Sequence, residues 1–147
     1  MSIIRKICEI LTILLIVIIG FAPLDASAQS DKKASCNADS MQAVISKGYQ
    51  AAHRSDWRVV LSVALALNIG SGICTEKEQA ITSALYGNFF GAIGFRHLSA
   101  RKHADELLTD GRDGARRAVD QGLMPELSRK MLRRFDALAA HPMDVPG

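Results

Sequence analysis

Apolar residues recur along this chain with helical spacing, and the strict alternation of a half-buried strand appears nowhere. The densest stretch is residues 59–69, VVLSVALALNI, interrupted only by Ser62 and Asn68 and closed by Gly70-Ser71-Gly72. A helix apolar on nearly every face needs neighbours all round, so this one is expected at the centre of a bundle. Trp57, Val60, Leu61, Ala64 and Leu65 form its expected buried stripe, and Ser55 its expected N-cap.

The flanking segments follow the same period. Asn37 can cap a helix that runs to about Arg54, with Met41, Val44, Ile45, Gly48, Tyr49 and Ala52 on one stripe. Thr75-Glu76-Lys77-Glu78 has the form of a capping box, Thr75 at N-cap and Glu78 at N3. The helix it opens carries Ile81, Ala84, Leu85, Phe89, Ala92 and Ile93 inward. Gly87, Gly91 and Gly94 each cost it roughly 1 kcal/mol relative to alanine, yet continuation to about Phe95 is favoured. Ser99 can cap a fourth helix with Ala100, Ala104, Leu107 and Leu108 inward, and residues 110–114, DGRDG, read as a turn or weak point. Spacing resumes at Ala115, Ala118 and Val119 up to Gly122. Pro125 then opens a last helix at a position where its missing N–H costs nothing. Leu127, Met131, Leu132, Phe135, Leu138 and Ala139 face in, with Arg129, Lys130, Arg133 and Arg134 out. The pattern predicts an all-α bundle of five or six helices over residues 37–140, and a frayed tail over 141–147.

The N-terminus changes the counts. Arg5 and Lys6 precede an apolar run over residues 10–21, and Ala26-Ser27-Ala28 offers small residues at −3 and −1 of a cleavage site. The run is short for a membrane span of ~20 residues. Residues 1–28 therefore read as a cleaved secretory signal, followed by a flexible lead-in over 29–36; an uncleaved anchor is the alternative. No cysteine follows the run to accept a lipid. Removing 1–28 from the 147 residues leaves 119, enough for one domain with a modest core. Arg5 and Lys6 leave together with Glu9 and Asp25, so the formal charge stays at +3. That is far from the clustered excess of a nucleic-acid binder. Cys8 also leaves, and Cys36 and Cys74 remain as an even pair in a periplasmic or extracellular, oxidising compartment, where a disulfide is expected. An antiparallel hairpin of the first two helices supports the same pairing, because it returns the residue after Gly72 to the neighbourhood of Asn37.

Candidate chemistry is sparse. His97 and His103 lie six apart, a spacing that puts them on different helical faces, and no third ligand joins them; no metal site is expected. There is no G-x-S-x-G elbow, and the cysteines are absorbed by the disulfide, so no catalytic residue is assigned. Asp110-Gly111-Arg112-Asp113 resembles a piece of a calcium loop, but Gln121 stands where the closing glutamate belongs. No cofactor is implied.

Two surfaces remain. Residues 86–95, YGNFFGAIGF, hold four of the seven aromatic residues left after the signal. They read either as close helix packing or as a partner surface made by Tyr86, Phe90 and Phe95, rimmed by Arg96, Arg101 and Lys102. Helical phase points Phe90 outward. The second surface is a basic face: Arg112, Arg116 and Arg117 with Arg129, Lys130, Arg133 and Arg134, suited to an anionic partner or, weakly, to lipid headgroups. The expected function is binding of another protein without catalysis. A small cell-envelope enzyme or stress factor, or a protein held at a membrane surface by the basic face, is the alternative. Small exported helical proteins with one disulfide include immunity proteins, inhibitors and periplasmic chaperones, a likeness of class that assigns no residue.

Overall fold

The computed structural model describes residues 36–146. The expected signal over 1–28 and the lead-in up to residue 35 lie outside them. The described residues form five helices and no strand: α1 (Ala38–His53), α2 (Trp57–Ile73), α3 (Lys77–His97), α4 (Arg101–Asp120) and α5 (Pro125–Ala140).

Local signals explain most boundaries. The Asn37 side chain accepts a hydrogen bond from the Asp39 amide at 2.9 Å and starts α1. Asp56, not Ser55, caps α2, its carboxylate accepting from the Val59 amide at 3.3 Å. Gly70 and Gly72 do not end α2. Gly70 is buried inside the helix, and the chain turns only at Cys74, whose backbone is extended. The capping box does not form either: α3 begins at Lys77 with Glu76 at N-cap and no side-chain cap. The same is true at α4, where Ala100 rather than Ser99 holds the N-cap position. Pro125 stands in the first turn of α5 as expected, after Met124 in the left-handed region.

Cys36 and Cys74 form the disulfide. It joins the residue in front of α1 to the residue after α2 with their Cα atoms 5.3 Å apart, closing the α1–α2 hairpin at its open end. α4 and α5 make a second hairpin, and α3 lies between the two, touching all four other helices. The centre is therefore α3, not residues 59–69. Leu65, expected in the most buried stripe, is 61% exposed, so a charge there should not unfold the protein. Val60 and Ala64 are buried as expected, and Val63, Leu67 and Gly70 complete the buried side of α2.

Small residues explain why α3 holds the middle. Ser83, Gly87, Gly91, Ala92 and Gly94 let its neighbours come close, and the Ser83 hydroxyl donates to the Leu67 carbonyl of α2 at 2.6 Å. The rings fill what the glycines leave. Phe90 reaches across to α1, where a Cβ on Gly48 would stand 2.6 Å from its ring. Phe135 of α5 packs in the same way over Gly111 of α4. That contact explains why residues 110–114 continue as helix rather than turn: the glycine is a seat, not a break. Phe89, Phe90, Phe135, Leu67, Ile93 and Met131 are all fully buried. The tail turns back after α5 and lays Val145 against this core.

Candidate functional site

The aromatic partner surface does not exist as such. Tyr86 and Phe90 are 8% and 0% exposed, so both are core. Phase alone misplaces Phe90, because with α3 surrounded, the direction away from Leu85 meets α1 instead of water. The three glycines of this stretch face α2 and α4: added Cβ atoms at Gly87, Gly91 and Gly94 would run into Asn68, Leu107 and Leu61. Phe95 is half-buried and sits 5.5 Å from the His103 ring. Arg96 is held in an ion pair with Asp105 of α4, whereas Arg101 and Lys102 are exposed at the start of that helix. The proposed rim residues therefore surround no exposed ring cluster.

The basic residues divide into three groups. Arg112 bridges α4 and α5 through Asp136, with Nε 2.7 Å from the carboxylate, and Arg116 is paired loosely with Asp113 at 3.8 Å. Arg117 lines an open groove of about 250 Å³ between α3 and α4, together with Lys77, Ile81, Leu85 and Gln121. On α5, the Arg129 Nε donates to its own helix at the Pro125 carbonyl, while Lys130 and Arg133 are exposed. Among the described residues, neither Lys130 nor Arg133 has a carboxylate partner.

Arg134 does not face out. Its Nη1 donates to the Tyr86 hydroxyl at 3.3 Å, and its guanidinium lies over the Tyr49 ring with Cζ 5.2 Å from the centroid. One arginine thus ties α5 to α3 and α1. Tyr49, which stacks edge-on against Phe90 at 5.1 Å, has its hydroxyl buried without a hydrogen bond. Burial pushes that hydroxyl far above the usual tyrosine range, an effect the nearby Arg134 charge opposes and Tyr86 reinforces. Below about pH 10 both folded and unfolded chains keep Tyr49 neutral, so the stability is fully present. As pH rises further the unfolded chain gains by ionising while the folded one resists, and stability falls. Tyr49→Phe should match or slightly exceed wild type near neutral pH, since no bond is lost. It should also lose less stability above pH 10; equal losses in alkaline thermal melts would refute this.

Lys130, Arg133 and Arg134, with Ala137 and Pro146 of the returning tail, enclose an open concavity of about 390 Å³. Its charged lining is entirely cationic. The spacing of Lys130, Arg133 and Arg134 along one helix is legible in the sequence. The tail wall and the inward turn of Arg134 are not, because Tyr49 and Arg134 lie on helices that only the fold brings together.

The histidines do not converge. His97 lies flat on Trp57 with ring centres 3.7 Å apart, His103 faces Glu106 at 3.4 Å, and His53 and His141 are exposed on other parts of the surface. Among the described residues no group of three or more His, Cys, Asp or Glu side chains is placed to hold a metal ion. None of the described helices is long and apolar enough to cross a membrane. Comparison of the chain with protein-family models, curated proteins and solved structures finds no match.

Proposed function

We propose that this is an exported binding protein without catalytic activity, and that its partner is a protein with an acidic surface that docks on the outer side of α5. One observation supports this reading above the others. Arg96, Arg112 and Arg116 each have a carboxylate within the fold, whereas Lys130 and Arg133 have none and line the same concavity as Arg134. Cations left unneutralised beside a concave wall favour an oppositely charged partner and orient it during encounter. Export belongs to the same reading: residues 1–28 act as a cleaved signal, and the Cys36–Cys74 disulfide suits an oxidising compartment.

Charge reversal tests it. Lys130→Glu with Arg133→Glu alters exposed side chains and should leave stability within about 0.5 kcal/mol of wild type. Capture of the partner from the cell's own envelope extract should fall at least tenfold in the same variant. Undiminished capture would place the interface elsewhere.

A further inference from the structure

Where helices of this bundle meet, glycine gives a neighbour its seat. At Gly48, Gly87, Gly91, Gly94 and Gly111 a Cβ would stand within 3 Å of a side chain from another helix. Gly114 of α4 is different. A Cβ there would lie 3.8 Å from Leu85 and 4.0 Å from the Arg117 guanidinium, ordinary contact distances, so nothing is pressed against it. The space above it belongs to the groove of about 250 Å³ between α3 and α4, floored by Ile81, Leu85, Ala118 and Leu123. Lys77, the first residue of α3, stands at one end, and the Arg117 guanidinium lies beside Gly114 and Leu85 at the other. Positions 77 and 85 are about 12 Å apart along α3. Among the described residues no carboxylate lines the groove, and neither cation has an ion-pair partner.

We propose that this groove takes an amphipathic helix of a partner protein, one that presents two leucine-sized side chains between two carboxylates. Size and charge select that occupant. At about 30 Å³ per non-hydrogen atom, the share of a water in the liquid, the volume holds roughly eight such atoms, the side chains of two leucines. A membrane acyl chain is longer than that, and its single headgroup would use the cation at one end only. Successive turns of a helix supply the pattern: leucines at i+3 and i+4 share a face with carboxylates at i and i+7, which stand about 10 Å apart. Glutamate side chains reach the remaining distance to Lys77 and Arg117, and the two contacts fix how the segment lies. The chain's own residues 29–35 do not suit the groove, because Lys32 and Lys33 would face its cations and Ala34 is their one apolar side chain. The groove shares no residue with the α5 concavity and stands or falls independently of what docks there.

Fluorescence anisotropy tests it on the protein expressed as the full chain and purified as the cell processes it. The probe is a fluorescein-labelled, end-capped, alanine-based peptide of about 16 residues, with glutamate at i and i+7 and leucine at i+3 and i+4. Wild type should bind it with a dissociation constant of about 0.1 mM or tighter. Gly114→Leu fills the groove and removes a glycine from a helix interior, so it should lose roughly tenfold in affinity while melting no lower than wild type. Lys77→Glu with Arg117→Glu, both exposed, should also lose roughly tenfold and recover it for a peptide with lysines in place of the glutamates. Absence of binding up to about 1 mM protein overturns the proposal, as does an affinity indifferent to Gly114→Leu. Equal binding of a peptide with alanines in place of the leucines also overturns it, because the attraction is then charge alone. Binding of decanoate that Gly114→Leu abolishes, without binding of the peptide, would overturn it too and assign the groove to an acyl chain.

Discussion

Phe90→Ala is expected to remove about 3–5 kcal/mol of folding stability, a large share of what a domain of this size has. The ring is fully buried and joins two helices: it grows from α3, seats on Gly48 of α1, and packs against Tyr49, Phe89 and Tyr86 at centroid distances of 5.1–6.2 Å. Truncation leaves a hole that cannot be filled by collapse, because the floor is a glycine with no side chain to move in. The midpoint of a thermal melt should fall by roughly 10–20 °C. A variant that melts with the wild type would mean that the ring is not enclosed and would return residues 86–95 to the surface.

Loss of the disulfide is the second large effect. Cys36 and Cys74 are 38 residues apart in the chain, and cross-linking them restricts the unfolded ensemble. In the chain-entropy account a loop of that length is worth about 4 kcal/mol. The bond also fastens the open end of the α1–α2 hairpin. Ser replacement of both cysteines should lower the denaturant midpoint, and wild type under reductant should follow the double variant. Coincident unfolding curves for the oxidised and reduced wild type would show that the bond does not support the fold.

Parts of this organisation are legible in the sequence, and the reasons are local. The Asn37 cap, Pro125 at the start of α5 and the pairing of Cys36 with Cys74 depend on backbone chemistry or, among the described residues, on there being two cysteines. All-helical character follows from a period repeated in every segment. What fails to be legible depends on neighbours far along the chain. Hydropathy marks residues 59–69 as the most apolar stretch, but small side chains, not apolar ones, let α3 take the centre. Leu65 is therefore exposed while the less apolar α3 is enclosed. Glycine density in residues 86–95 and 110–114 is equally ambiguous locally. Gly111 reads as a weak point until Phe135 is placed over it, and Phe90 reads as outward until Gly48 is found opposite.

The candidate site divides along the same line. The cations of α5 are evident at positions 130, 133 and 134, yet Arg112, Arg116 and Arg96 look equivalent to them in sequence. The fold supplies Asp105 and Asp136 from neighbouring helices for Arg96 and Arg112, whereas Asp113 stands one turn before Arg116 on the same helix. It likewise sets Arg134 against Tyr49 and Tyr86, so that this guanidinium ties helices together while it still lines the concavity.

Salt dependence of partner capture tests the binding account most directly. Wild type and the Lys130→Glu, Arg133→Glu variant are compared on the same envelope extract across a series of ionic strengths, with thermal melts confirming that both are folded. Exposed charges are screened over about 10 Å at 0.1 M salt, so capture through the α5 concavity must weaken as salt rises. The account predicts strong capture by wild type at low salt that declines steadily, and little capture by the folded variant at any salt. Capture by both proteins that is equal and indifferent to salt would contradict it.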